Sequence, residues 1–398
     1  MLHTGRAAQA LEDNLHRFTG YDRALSDDLT AYRAALCGLA PMSAHEICSR
    51  LPGGPSGARP TEEWEVHRAP VLAFGVAMRN HEEARAWAAE TLFDRITFAS
   101  DGSQIQPMPD ISVPVAAVQV GWFENPHNPK VPYVKDVRVE VLPPDQVFVA
   151  RGGVSVFSDQ AVSLRRFALE VDVLCEWMHD HAGVRPAPVA FFDGSLVVSF
   201  AERLEPETRD FYIAQAVRLL RTSEETRVPL VGYVDNSRAR DLTTMLGHLI
   251  PALDRGENVT DAGILRGLMR WGDRTPAWTC AREGVLAAYR VGDSDEETFL
   301  GDRVCFVYLK TAEPQVPARL DLPRWVVEEG LAEDVVQVVR AECVVGNGYP
   351  YAIETADAVA VITAEDRRRF YGLFEQFAER NGIRLTVASK IQSKDRRR

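Results

Sequence analysis

Two copies of the tripeptide Asp-Gly-Ser mark this chain, at Asp101-Gly102-Ser103 and Asp193-Gly194-Ser195. The first follows the strand-like Ile96-Thr97-Phe98-Ala99-Ser100. The second interrupts an apolar run that enters at Pro188 and continues to Phe200. A buried strand excludes a carboxylate unless something pairs with it, because stripping the charge of water costs several kcal/mol. A metal ion is one such partner. Two strands that each deliver an aspartate bring two carboxylates to one place, and phosphodiester hydrolysis on a pair of ions ~4 Å apart needs three or four of them. Hard oxygen ligands suit Mg²⁺ or Mn²⁺. The competing reading is two tight turns, since Asp, Gly and Ser all favour turns. Other chemistries leave no comparable trace. The chain has no Gly-x-x-x-x-Gly-Lys-Ser/Thr loop, no His-Glu-x-x-His and no Gly-x-Ser-x-Gly.

The surrounding pattern predicts the elements that position these residues. Residues 1 to about 50 carry apolar side chains at helical spacing (Leu11, Leu15, Phe18, then Leu25, Leu29, Tyr32), and 51–60 reads as a Pro/Gly/Ser-rich linker. A helix over about 81–93 leads into the first Asp-Gly-Ser strand. Strands over 111–123 and 131–142 complete a three-stranded meander. In the last of these Val137, Val139 and Val141 alternate with charged residues, as in a half-exposed antiparallel strand. A helix over about 158–181, capped by Ser158, carries Glu170, Asp172 and Glu176 and precedes the second Asp-Gly-Ser strand. Further helices are expected over 206–223, 239–249, 332–345 and 363–380, with strands over 228–234, 302–309 and 318–322. Residues 251–302 read mostly as loop and short helix. The order predicts an α/β core with a mixed sheet rather than a doubly wound parallel one.

The chain has 398 residues, 46% hydrophobic and 26% charged, with a net charge of −12. This is the composition of an ordinary globular protein of one large or two modest domains. The acidity argues against a protein that coats DNA but not against a nuclease, whose centre is itself acidic. No apolar run approaches the ~20 residues of a membrane span, and the N-terminus lacks a signal-peptide pattern. Six cysteines without a Cys-x-x-Cys pair point to a cytoplasmic protein without structural zinc. The basic end, residues 390–398, reads as a disordered tail or a phosphate contact.

Five segments, taken in order with the two Asp-Gly-Ser strands, resemble the NurA nuclease family. They are Gly-Tyr-Val-Asp-Asn-Ser-Arg (232–238), Phe-Val-Tyr-Leu-Lys (306–310), Arg-Leu-Asp-Leu-Pro-Arg-Trp-Val (319–326), Gly-Tyr-Pro-Tyr-Ala-Ile-Glu-Thr-Ala-Asp (348–357) and Leu-Arg-Arg-Phe-Ala-Leu-Glu (164–170). The resemblance spans roughly residues 96–370. It implies an RNase H-like fold, a Mn²⁺-dependent nuclease acting on DNA ends and single strands, a homodimer, and a HerA-like hexameric ATPase as partner. By match to the family's motifs, Asp101 and Asp193 are the metal aspartates, Glu170 is the helical glutamate with Glu176 as alternative, and Tyr349 is the motif tyrosine. The family usually has Ala-His where this chain has Ala356-Asp357. Asp357 is therefore expected either as a fourth oxygen ligand or as the cap of a helix beginning near Ala358, with a catalytically weakened DNA-binding or docking module as the rival function. The expected organisation is an N-terminal helical region (1–75), a nuclease domain (76–389) and the basic tail.

Overall fold

The computed structural model describes residues 2–108, 111–151, 154–253, 258–291 and 298–386, so the basic tail lies outside the described residues. The N-terminal segment folds as α1 (Thr4–Asp13), α2 (Leu15–Cys37) and α3 (Ala44–Arg50), the last closed by a reciprocal Ser43–Glu46 capping box. The expected linker contains a strand, β1 (Gly57–Pro60), followed by α4 (Glu62–His67) and α5 (His81–Leu92). Then come β2 (Thr97–Ile105), β3 (Ala116–Asn125) and β4 (Val134–Leu142), the antiparallel meander foreseen in the sequence. After α6 (Pro144–Val147) and the hairpin β5 (Phe148–Arg151) and β6 (Val154–Phe157), α7 (Asp159–Asp180) runs into β7 (Val189–Asp193). Ser158 caps α7, its hydroxyl accepting from the Ala161 N–H.

The chain continues through α8 (Pro206–Thr226), β8 (Leu230–Val234), α9 (Asp241–Leu249) and α10 (Asp261–Arg266). Within 251–302, read as mostly loop and short helix, lie β9 (Trp278–Ala281) and the short pair β10 (Arg290–Val291) and β11 (Thr298–Phe299). The last elements are β12 (Val304–Leu309), β13 (Ala318–Pro323), α11 (Arg324–Glu328), α12 (Ala332–Val345), α13 (Tyr351–Ala360) and α14 (Ala364–Arg380). Nine strands form one mixed sheet in the order β1-β9-β12-β13-β8-β7-β2-β3-β4. Strand β2 pairs parallel with β7 and antiparallel with β3.

The chain divides into two compact units interleaved along the sequence. One comprises residues 1–83, 194–199 and 232–340. The other comprises 84–193, 200–231 and 341–398. In the first, β12 and β13 are wholly buried, as expected for a sheet covered on both faces. Their buried charges are paired. Arg319 Nε donates to Asp321 at 2.7 Å, its Nη1 reaches Asp241, and its guanidinium lies 4.1 Å from the Phe306 ring centre. Asp321 also accepts from the Ser195 hydroxyl at 2.6 Å and the Leu196 N–H at 3.1 Å, which ties down the strap that follows the second Asp-Gly.

In the second unit, α7 covers one face of the β2–β3–β4 meander and α13 the other. Strand β4 reverses the usual sense of its alternation. Arg138 and Glu140 face α7 and pair with Glu176 and Arg165, while Val137, Val139 and Val141 are 41%, 54% and 56% exposed. Ion pairs to the helix thus set which face of the edge strand turns inward.

Glu342 on α12 is the deepest acidic residue of this unit, with its side chain 1% exposed. It accepts from the Thr97 hydroxyl at the start of β2 and from the Ala352 N–H at the start of α13, each at 2.9 Å, and lies 3.2 Å from His127 Nε2. Glu342→Leu strands both donors in the interior. Denaturant unfolding is expected to show a loss of about 3 kcal/mol, since each buried unsatisfied group costs about 1–3 kcal/mol. A loss below half a kcal/mol would show that Glu342 is not holding these two elements.

Candidate active site

Asp101 is the fifth of nine residues in β2, so the first Asp-Gly-Ser is strand rather than turn. Its neighbours on both sides are held in ladders. Asp101 pairs with Gly121 of β3, and Ser100 pairs with Phe192 of the parallel β7. One more step along that register sets Asp101 level with Asp193, the last residue of β7. Only the second copy is a turn, with Gly194 at φ 148°. The turn reading therefore holds for one of the two tripeptides, and the placement of Asp101 at a strand end is corrected to mid-strand.

Two glycines let helices approach Asp101 from opposite faces. A Cβ on Gly102 would lie 2.0 Å from Glu170 Oε1, so only glycine leaves room for the glutamate carboxylate against the strand. A Cβ on Gly121 would lie 2.6 Å from the Ala360 nitrogen, so the backbone of α13 sits directly on β3 opposite Asp101. Side chains alternate across a strand. Asp101 therefore shares its face with Thr97 and Ser103, which reach Glu342 and the Ile362 N–H beside α13.

Glu170 is 7% exposed and is held by Arg166 one helical turn earlier. Arg166 Nη1 donates both to Glu170 and, at 3.1 Å, to the Gly102 carbonyl. Glu176 lies elsewhere. It is 55% exposed and pairs with Arg138 at 2.6 and 3.0 Å, which holds its carboxyl below the usual range. Six residues along a helix turn the side chain to a different face. It is Glu170 that the structure brings beside Asp101.

Asp193 accepts a hydrogen bond from the Tyr349 hydroxyl at 3.0 Å. Asp357 is exposed on α13. That helix begins at Tyr351 with Pro350 as its N-cap, so Asp357 sits in the last turn and the expectation that it caps a helix near Ala358 is corrected. The Gly-Tyr-Pro stretch, rather than the Ala-Asp pair, is what starts the helix.

The four carboxylates share one electrostatic neighbourhood. Burial, followed by repulsion from Asp357 and Asp193, raises Asp101 to about 6 against an opposing hydrogen bond from the Gly102 N–H. Burial is also the main cause at Glu170, pushed up to about 7. There Arg166 opposes the shift and Asp101 and Asp193 add to it. Asp193 is raised by desolvation and by Asp357, while the Tyr349 hydrogen bond pulls it down. Although solvent reaches its surface, the surrounding protein is dense enough to penalise the charge. Hard oxygen donors crowded this way fit a divalent cation. Among the described residues, no three Asp, Glu, His or Cys side chains close into a ready-made ligand group. Arg166 instead supplies the positive charge at Glu170. Sequence reasoning missed Arg166, and its signal was the i, i+4 spacing to Glu170.

The NurA domain model matches residues 95–362, more than half of the chain, and the chain belongs to the NurA family, a family of nucleases. Its fold is the mixed α/β sheet flanked by helices expected from the sequence. Asp101, Glu170, Asp193, Tyr349 and Asp357 all lie within the matched span. No curated protein matches the chain. Among solved structures it is similar to a NurA crystallised with manganese (TM-score 0.37, 11% identity, covering 71% of this chain and 89% of that one). It is also similar to a NurA bound to dAMP and manganese (0.34, 10%, 69% and 86%) and to the catalytic domain of human endonuclease V (0.29, 13%, 82% and 100%). The family assignment rests on the sequence match.

Two outcomes test this geometry. Gly102→Ala is expected to displace Glu170, cutting any cleavage at least tenfold with little change in melting temperature, and unaltered cleavage would count against the packing argument. Raised carboxyl pKa values contribute stability below the unfolded value of about 4, which is lost as pH climbs through 6 and 7. The metal-free protein should therefore melt lower at pH 8 than at pH 5. Glu170→Gln should flatten that slope, and a slope identical in both proteins would remove Glu170 from the account.

Proposed function

We propose that this protein is a metal-dependent deoxyribonuclease that hydrolyses phosphodiester bonds at DNA ends and in single strands. Asp101, Asp193, Glu170 and Asp357 would hold Mn²⁺ or Mg²⁺, and Tyr349 would orient Asp193. The observation that carries the reading is the level placement of Asp101 and Asp193 on adjacent parallel strands, with Glu170 packed against Gly102, the residue after Asp101. Membership of a nuclease family supports it.

A pair of divalent ions, when bound, makes water a nucleophile near neutral pH and stabilises the leaving oxygen. The chain's own residues do the rest. The β2 ladders fix the Asp101 backbone on both sides, so its carboxylate is aimed without a search through conformers. Tyr349 occupies one lone pair of Asp193 and limits its rotation. Arg166 opposes the rise that burial imposes on the Glu170 pKa, and Glu170 would offer its carboxylate oxygens to a cation.

The working unit we propose is a homodimer associated with a HerA-like hexameric ATPase in DNA end processing, in repair or in defence against phage. Leu11, Leu15, Phe18 and Tyr21 are each more than half exposed along α1 and α2, an apolar stripe that supports self-association. The catalytically weakened alternative draws on Asp357 in place of the family's histidine, and digestion experiments separate the two readings.

Labelled single- and double-stranded DNA should be cut in the presence of Mn²⁺ and spared in EDTA. Asp193→Asn should abolish cutting and leave the melting temperature within a few degrees, and a variant that still digests DNA at the wild-type rate would place the site elsewhere. Cleavage should fall as pH drops below about 7, because Glu170 and then Asp101 take up protons that compete with a cation. Asp357→His should keep cleavage and move its metal or pH optimum. No shift in either optimum would separate Asp357 from the metal.

A further inference from the structure

Beyond the acidic centre, the same unit contains a cavity of about 530 Å³ between α5 and the β3–β4 turn. That lies within the ~300–1,000 Å³ usual for a small-ligand site. Its lining includes buried Leu92, half-exposed Val131 and His127. The imidazole is fixed on both sides. One ring nitrogen lies 2.7 Å from the Arg95 carbonyl and the other 3.2 Å from buried Glu342. The rim is different in kind. Tyr133 is 61% exposed, and Lys135 lies 5.6 Å from its ring centre. Arg85 is exposed and makes no hydrogen bond or ion pair among the described residues. The chain has only five lysines, yet Lys130 stands on this turn and Lys135 at the start of β4. Arg85 and the two lysines thus stand near an aromatic ring, with Asp94 hydrogen-bonded to Asn128 of the lining.

Asn125, which lines the cavity, lies on the same face of β3 as the residue paired with Asp101. Gly121 and Phe123 of β3 both turn to the α13 side, where the Phe123 ring is 5.8 Å from Tyr351 and 5.7 Å from Tyr133. Asn125 at the cavity pairs with Thr97, and Gly121 pairs with Asp101. Four residues of strand separate the two levels, about 13 Å at roughly 3.3 Å per residue. Helix α13 covers the sheet face between the two levels, so a strand held both at the carboxylates and at the cavity would pass around that helix.

We infer that this cavity is a secondary binding site for single-stranded DNA, in which an unpaired base stacks on Tyr133 and flanking phosphates meet Arg85 and the two lysines. Stacking on an aromatic ring is tolerant of sequence, and cationic side chains beside it follow the backbone. The site rests on the nuclease reading, since it gives the cleaved strand a grip away from the acids.

Fluorescence anisotropy of a labelled oligothymidylate, with EDTA present so that nothing is cut, tests it. Tyr133→Ala should weaken binding about tenfold, and Tyr133→Trp should retain it. Arg85→Ala should lower the salt-dependence slope by about 1. Both positions are exposed, so the fold tolerates the changes. Asp193→Asn, as control, should keep the oligonucleotide affinity while losing cleavage. If the wild type cuts DNA and Tyr133→Ala binds it as tightly as the wild type, the cavity is not a DNA site and the nuclease reading stands. If Tyr133→Ala changes the solution mass and leaves DNA affinity alone, the surface belongs to a protein contact and the inference is overturned. A wild type that neither binds nor cuts DNA would end both.

Discussion

Repulsion among carboxylates is the force that the second unit has to withstand. Burial first, and then neighbouring negative charge, disfavour the charged forms of Asp101, Glu170 and Asp193, with Asp357 contributing at Asp101 and Asp193. Such a group persists only if the backbone carrying it is over-determined. Asp101 meets that condition because its strand has partners on both sides, antiparallel β3 and parallel β7. The carboxylates come from four elements rather than one, and each element is anchored by contacts that do not involve the acids themselves. Gly102 and Gly121 are the positions where this design touches the sequence most directly. A side chain at Gly102 would displace the Glu170 carboxylate, and one at Gly121 would push the backbone of α13 away.

Two buried glutamates in this unit are satisfied by opposite means, and the contrast separates structure from chemistry. Glu342 accepts from a hydroxyl and a backbone N–H and lies beside an imidazole, all groups that belong to the fold. It joins the starts of β2 and α13, so the two elements that bear Asp101 and Asp357 share one fixed point. Glu170 is satisfied chiefly by Arg166, a side chain with solvent access and a flexible stem. Removing a partner from a buried ion pair is costly unless another cation replaces it. The pairing at Glu170 is therefore exchangeable for a metal in a way that the pairing at Glu342 is not.

Much of this was legible in the chain. Helical periodicity and the Ser158 cap located α7, and alternating or continuous apolar runs located β4, β7, β12 and β13. What failed was local signal that tertiary contacts override. Four residues in a Pro/Gly/Ser-rich stretch have no period to read, so β1 emerged only through its pairing with β9. The alternation in β4 revealed two faces but not which one turned inward, because Arg165 and Glu176 decide that from a distant helix. Spacing put Glu170 and Glu176 on different sides of α7 but could not say which side met the sheet. The close approach that selects Glu170 depends on Gly102, sixty-eight residues earlier, whose glycine looked like a turn former.

Asp357 is the residue whose presence the fold explains least. It lies in the last turn of α13, where a negative charge opposes the helix dipole and costs about 0.5 kcal/mol. Aspartate is also among the weaker helix formers, and here it faces two other carboxylates whose pKa values it raises. The cap that would have offset these terms is ruled out by the helix start at Tyr351. Histidine at the same place would relieve the repulsion and suit a helix C-terminus when charged. Aspartate adds negative charge where three carboxylates are already crowded, which makes sense only if positive charge arrives. The proposed cation binding supplies that charge, and in its absence the residue is a net cost to the folded chain.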